Sequence, residues 1–355
     1  MNKSQYLVKE ATDLLQSIIR IPSFSRKEEK VADFLQTTIE SYGLESHRKG
    51  NNIWTISSNF DSSKPTILLN SHQDTVYPVD AWKRQPFTPL IEEDRLYGLG
   101  SNDAGASLVS LLSTFRVLIR KEQPYNLIYL ASCEEEVSGK DGIELVLSEL
   151  PEISFVIVGE PTGMSPAIAE KGLMVLDVVA HGKAGHAARN EGVNAIYKAL
   201  EDIQWFSHFK YDKTSPLLGD VKMTVTQIEA GTQHNVIPDQ CKFVVDIRSN
   251  ECYSNEEIFH IIKEQITESD VTARSFRLNS SKIDQSHPFV QRCVEAGLVP
   301  YGSPTLSDQA LLDIPSLKMG PGDSARSHTA DEYICLSEMK SAIPLYVSLL
   351  DGLHF

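Results

Sequence analysis

Three short, uninterrupted apolar runs do most to limit the fold. They are Thr66-Ile67-Leu68-Leu69, Leu127-Ile128-Tyr129-Leu130-Ala131 and Phe155-Val156-Ile157-Val158. Flanked by turn residues and without alternation, each reads as a strand buried on both faces. Helical spacing of apolar residues fills the chain around them, over 6–19, 28–42 (closed by Gly43), 106–118 and 142–150. Residues 52–57 alternate like a strand. Strands alternating with helices predict an α/β domain with a mostly parallel sheet and helices on both faces.

The pattern then changes. Residues 173–180 read as a strand, 194–206 as a helix, 222–229 and 240–247 as strands, 254–268 as a helix and 271–278 as a strand. Ser254 and Glu257 form a capping-box signature at the second helix. This β-α-β-β-α-β order is that of a ferredoxin-like unit. The expected organisation is a discontinuous first domain, 1–165 and 281–355, with 166–280 inserted.

Composition narrows the function. With 33 basic and 48 acidic residues in 355, the formal charge is −15, which disfavours tracking nucleic acid or an anionic membrane. Five widely spaced cysteines with no CxxC argue against a disulfide framework or a thiolate zinc site. The first residues lack the apolar core of a signal peptide, and no apolar run is long enough to span a bilayer. A cytoplasmic location is expected.

Chemistry gathers where the apolar runs end, the place where open α/β sheets bind ligands. His72 and Asp74 follow the first run, Glu134-Glu135-Glu136 the second and Glu160 the third. Asp103 follows the Gly98-Leu99-Gly100 turn, and His328 lies in a loop opened by Gly320-Pro321-Gly322. Taken singly, each has an ordinary reading as a loop polar group, a helix cap or an acidic turn. Together they make a nitrogen and oxygen donor set without thiolate. Such a set suits two zinc ions or similar divalent ions bridged by one carboxylate, clamping a water nucleophile against a scissile carbonyl.

The segments 71–76, Trp82 with Pro86-Phe87, Tyr97-Gly98-Leu99-Gly100 with Asp103, Glu134-Glu135, Gly159-Glu160-Pro161-Thr162, and Gly320-Pro321-Gly322 with His328 form a recognisable series. In this order they resemble the dinuclear zinc amidohydrolases and exopeptidases, among them acetylornithine deacetylase, succinyl-diaminopimelate desuccinylase and carboxypeptidase G. The resemblance runs from about residue 66 to 335. It implies a zinc-exopeptidase-like domain with an inserted dimerisation or lid domain.

It also implies roles. His72 and Glu160 would hold one metal, Glu135 and His328 the other, and Asp103 would bridge. Asp74 would orient His72, and Glu134 would be the general acid/base. In the inserted domain His186 would polarise the substrate carbonyl, often across a dimer, while Asn235 and Arg248 would bind substrate. Ser71, Ala104-Gly105-Ala106 and Cys133 depart from the usual motif residues without replacing a ligand. Three consecutive Glu leave the pair open by one position, so that Glu135 and Glu136 are the other choice.

The implied enzyme uses two divalent ions, zinc with cobalt as an alternative. It removes the acyl group from an N-α-acyl amino acid. The resemblance leans to acetylornithine deacetylase and arginine biosynthesis, with a homodimer as its form. A dipeptidase or carboxypeptidase of the same architecture, or a catalytically silent binding protein, are the alternatives. Arg326, two residues before His328, could bind the carboxylate of a succinyl group, with Arg189 a second candidate. Both could equally pair with nearby acids such as Asp323 or Glu191.

Overall fold

A computed structural model describes residues 3–355, with side chains from residue 5 onward. The described residues form two compact units, one of residues 3–168, 283–301 and 307–355, the other of 169–282 and 302–306. The boundaries expected at 165/166 and 280/281 lie two or three residues further on. The reason is pairing, because Ala169 and Glu170 sit opposite Lys282 and Ser281. Residues 302–306 join the second unit through Gly302, where a Cβ would lie 2.3 Å from the Leu217 carbonyl oxygen.

In the first unit the strands run in the order His47–Lys49, Asn52–Ile56, Asn126–Ser132, Thr66–His72, Phe155–Val158, Ser316–Lys318. The central four are mutually parallel. Asn52–Ile56 joins them antiparallel, as does His47–Lys49 beyond it. The expected parallel sheet is therefore the centre, with antiparallel strands at its margin. Helices cover both faces. Tyr129 donates to the Leu108 carbonyl of helix Ala106–Leu118 on one side. Leu68, Ile128, Leu130, Val156 and Val158 pack with Ile143 and Val146 of helix Ile143–Leu147 on the other.

Register places the chemistry. His72 lies opposite Ser132, and Asn70 opposite Val158. The parallel strands thus finish nearly level, and Asp74, Glu135 and Glu160 leave the sheet along one edge.

Helix Ile143–Leu147 is shorter than the expected 142–150. Tighter bonds, Glu149 N–H to Val146 O and Leu150 N–H to Leu147 O, unwind its end ahead of Pro151. A small sheet of Leu90–Glu92, Arg95–Tyr97 and Tyr333–Cys335 was not legible, being three residues per strand.

The second unit has a four-stranded antiparallel sheet in the order Lys222–Ala230, Gln240–Arg248, Met174–His181, Ser269–Ala273. Its helices are Ala195–His208 and Asn255–Gln265. Cys241, Phe243, Val245 and Ile247 alternate into a core with Ala199, Phe206, Ile258 and Ile262, the two-residue period of a half-covered sheet. Ser254 accepts from Glu257 N–H and the Glu257 carboxylate accepts from Ser254 N–H, completing the capping box. The last strand ends at Ala273 rather than 278, because Asn255 Nδ2 donates to the carbonyls of Phe276 and Leu278.

Candidate metal centre

His72 ends its strand fully buried, with Nδ1 3.0 Å from the Asp74 carbonyl oxygen and 3.5 Å from Asp74 Oδ1. Those acceptors favour a proton on Nδ1, leaving the Nε2 lone pair free to coordinate. Nε2 faces three carboxylates, Asp103 Oδ1 at 3.3 Å, Glu160 Oε1 at 3.9 Å and Glu135 Oε2 at 4.0 Å. Asp103 turns its other oxygen to the second imidazole, Oδ2 to His328 Nε2 being 3.5 Å. Glu136 Oε2 lies 2.9 Å from the same His328 nitrogen. One carboxylate thus stands between two imidazoles, each with further carboxylates beside it.

Asp74 works from behind. Its Oδ1 accepts from Glu135 N–H at 3.1 Å, and its Oδ2 from Glu136 N–H at 3.2 Å and Ser25 Oγ at 2.7 Å. It sets both the His72 ring and the turn that aims the two Glu side chains.

Burial pushes the Glu135 carboxyl well above its usual range and the Glu136 carboxyl up, and neighbouring carboxylates add to both. Glu160 is pushed to about 8, first by burial, with Asp103 adding to it. His328 rises to about 9, chiefly through Glu136. Glu160 Oε1 is buried with no hydrogen-bond partner. An orphaned buried carboxylate oxygen among like charges is costly unless a cation meets it. Two sets, His72 with Asp103 and Glu136, and His72 with Glu135 and Glu160, each bring their ligand atoms within 4.8 Å of one another. The residues present fit a divalent-metal centre of nitrogen and oxygen ligands.

The model of peptidase family M20/M25/M40 matches residues 68–352. The chain belongs to this family. Among its relatives, the [LysW]-lysine/[LysW]-ornithine hydrolase of Sulfurisphaera tokodaii is 27% identical, covering 96% of this chain and 95% of its own. The acetylornithine deacetylase of Proteus mirabilis is 25% identical, covering 96% of each. A solved structure, the dinuclear metal binding M20 peptidase YXEP of Bacillus subtilis, aligns with TM-score 0.76 at 16% identity over 98% of both chains. The resemblance to the dinuclear amidohydrolases is thereby upheld, and the M20 chain described here is a metal-dependent hydrolase.

The geometry corrects the Glu register. Glu134 is no part of the M20 cluster. Its backbone is left-handed, at φ 55°, its N–H donates to Glu28 Oε1 at 3.2 Å, and Arg26 Nε lies 3.8 Å from its Oε2. The side chain lies over Gly139, where a Cβ would come within 2.5 Å of Glu134 Cβ. That turn leaves Glu135 facing His72 and Glu160, and Glu136 facing His328.

Arg326 is also corrected. Its Nη1 and Nη2 donate to Glu338 at 2.7 and 3.1 Å, and its guanidinium lies 4.7 Å from the Tyr333 ring. The fork is used within the fold, although its partner is not Asp323. Arg189 lies 3.9 Å from Glu191.

Three further expected site residues lie in the second unit. His186, exposed, is paired opposite Val236, and the Asn235 carbonyl accepts from Ala187 N–H at 3.0 Å, so His186 and Asn235 share one ribbon. Ala188 N–H donates to His186 Nδ1 at 3.1 Å, which leaves the ring proton on Nε2 as an outward donor. Arg248 is forked onto Asp246, two residues back on the same strand face, at 2.8 and 3.1 Å.

Two buried acids escaped sequence reasoning. Asp308 Oδ2 accepts from Asn70 Nδ2 at 2.8 Å and Ser132 Oγ at 2.7 Å, beneath the strand ends. Glu332 accepts from three backbone N–H groups around Asp103. Neither follows an apolar run, so no local signal marked them.

Proposed function

We propose that this M20 hydrolase removes the acyl group from the α-nitrogen of an N-acyl amino acid, with N-acylornithine as the leading substrate and arginine biosynthesis as its setting. The observation that carries it is Asp103, with one oxygen toward His72 and the other toward His328, beside a Glu135 carboxyl that faces the same centre. Ornithine occurs in the names of both relatives described above, which supports it as the amine released.

His72 and Glu160 would hold one ion, Glu136 and His328 the other, and Asp103 would bridge. The donor set favours zinc, with cobalt as a substitute. Bound divalent ions supply Lewis-acid polarisation of the carbonyl and a lowered water pKa. Glu135 takes the proton from the attacking water and returns it to the leaving amine. Asp74 is a positioning residue. His186 Nε2–H donates to the carbonyl oxygen as negative charge develops there. Asn235 and Arg248 bind the amino-acid end, Arg248 exchanging Asp246 for the substrate α-carboxylate.

The form proposed is a homodimer through the second unit. Lys222–Ala230 is an edge strand there, and helix Ala195–His208 leaves Tyr197 68% and Leu200 51% exposed. The cytoplasm is the proposed location, supported by free cysteines at all five positions. No helix among the described residues is long and apolar enough to cross a membrane.

The test is amine release from N-acetyl- and N-succinylornithine, N-acyllysines and dipeptides, by protein stripped with chelator and reloaded with zinc or cobalt. Metal-dependent hydrolysis of an N-acylornithine supports the reading. Faster turnover of dipeptides would favour the peptidase alternative. No hydrolysis with a full metal complement would indicate a silent binding protein.

A further inference from the structure

Asp103 is useful only if its two oxygens stay divided between His72 and His328, yet it sits in the irregular segment between Gly98 and Ala106. The segment is gripped by the loop that carries His328. Glu332, only 2% exposed, takes Gly100 N–H on Oε2 at 3.0 Å and both Asn102 N–H at 2.8 Å and Asp103 N–H at 2.9 Å on Oε1. Its own carbonyl accepts from Gly98 N–H at 3.0 Å.

The grip is reciprocal. Asn102 Oδ1 accepts from Asp323 N–H at 3.0 Å, while its Nδ2 donates to Asp323 O at 3.1 Å and Ser327 Oγ at 3.3 Å. Gly322 makes room, since a Cβ there would lie 2.4 Å from Asn102 Oδ1 and its φ is 100°. Asn102 thus holds the stretch just before His328, and Glu332 holds Asp103 from just after it. Three N–H donors converging on one buried carboxyl are directional, and they oppose the rise to about 8 that burial imposes on it.

We propose that Glu332 is a positioning residue for metal retention, locking Asp103 and the His328 loop into one piece so that both imidazoles meet the same bridging carboxylate. The inference rests on the two-metal reading. It extends that reading to a residue outside the proposed ligand set.

The test uses the full chain and Glu332→Gln. The amide can still accept at one atom but presents N–H to one of the three donors, so the lock loosens. Ion stoichiometry and affinity are measured by chelator competition with Zn(II) and Co(II), together with the visible Co(II) spectrum and the Tm of the metal-free protein. Expected are at least a tenfold weaker affinity for one ion, a changed Co(II) spectrum and a metal-free Tm near wild type. Wild-type affinities for both ions would overturn the proposal. So would metal loss matched by a fall in the metal-free Tm, which would make Glu332 a residue of the fold. If Glu332→Gln does not fold, Asn102→Ala carries the same measurements and the same outcomes. A wild-type chain that binds fewer than two ions would instead sink the two-metal reading, and this inference with it.

Discussion

Glu136 Oε2 and His328 Nε2 lie 2.9 Å apart, joined across 192 residues of sequence. This contact, with Glu135 turned toward His72, orders three chemically identical side chains. Glu135→Gln is expected to keep both metals while turnover falls about 10²–10⁴-fold, the usual loss on removing a general base. Glu136→Gln is expected to lose one ion, and Glu134→Gln to change turnover less than threefold or so. Metal analysis beside steady-state rates checks all three. Retained metal with abolished turnover in Glu134→Gln would restore the other register.

His186→Ala is expected to lower kcat by about two orders of magnitude, the scale for one oxyanion donor, with metal content unchanged. Mixing His186→Ala with Glu135→Gln protein tests whether the residue serves a neighbouring subunit. Activity should return if hybrid dimers contain one site with both intact groups. No return, after labelled subunits are shown to exchange, would confine His186 to its own chain.

Arg326 is expected to have no say in the acyl group, since its fork is filled by Glu338. Arg326→Ala should change kcat/KM for N-acetyl- and N-succinylornithine by the same factor, within about twofold. A selective loss of the succinyl substrate would show that Glu338 yields the fork to it.

Asp202 gives a pH signature in the second unit. Partial burial raises its carboxyl, with Glu201 and Glu268 adding to the rise against the opposing Ser269 hydrogen bond. The folded state therefore holds the proton more tightly than the unfolded chain. Its contribution favours folding at low pH, falls as pH rises from the unfolded value of about 3.9, and is a penalty once the folded carboxyl has ionised. Asp202→Asn is expected to raise Tm at pH 7, with the gain shrinking toward pH 3. A gain that persists unchanged at pH 3 would point to something other than ionisation.

Much of this protein was legible before any tertiary contact was known. Three apolar runs became three of the four central strands, with Phe155–Val158 reproduced to the residue. Helix Ala106–Leu118 also kept its expected bounds. The β-α-β-β-α-β order and the Ser254 capping box likewise followed from local periodicity and local hydrogen bonding. His72, Asp103, Glu160 and His328 could be singled out because each lies at a strand end or after a Gly-rich turn, while the roles proposed for them came from the family resemblance. These are short-range properties, carried by a few adjacent residues.

Tertiary structure alone decided which of three adjacent Glu residues face the centre. Their side chains are identical, and the difference is a left-handed backbone at Glu134, braced by Glu28 from 106 residues away. It alone gave Arg326 to Glu338 rather than to a ligand, and put Glu332 beneath Asp103 across 229 residues. A charged side chain's partner depends on which distant segments are brought against it, and on burial that makes one arrangement cheaper than solvation. Neither quantity exists in the sequence until the chain has folded.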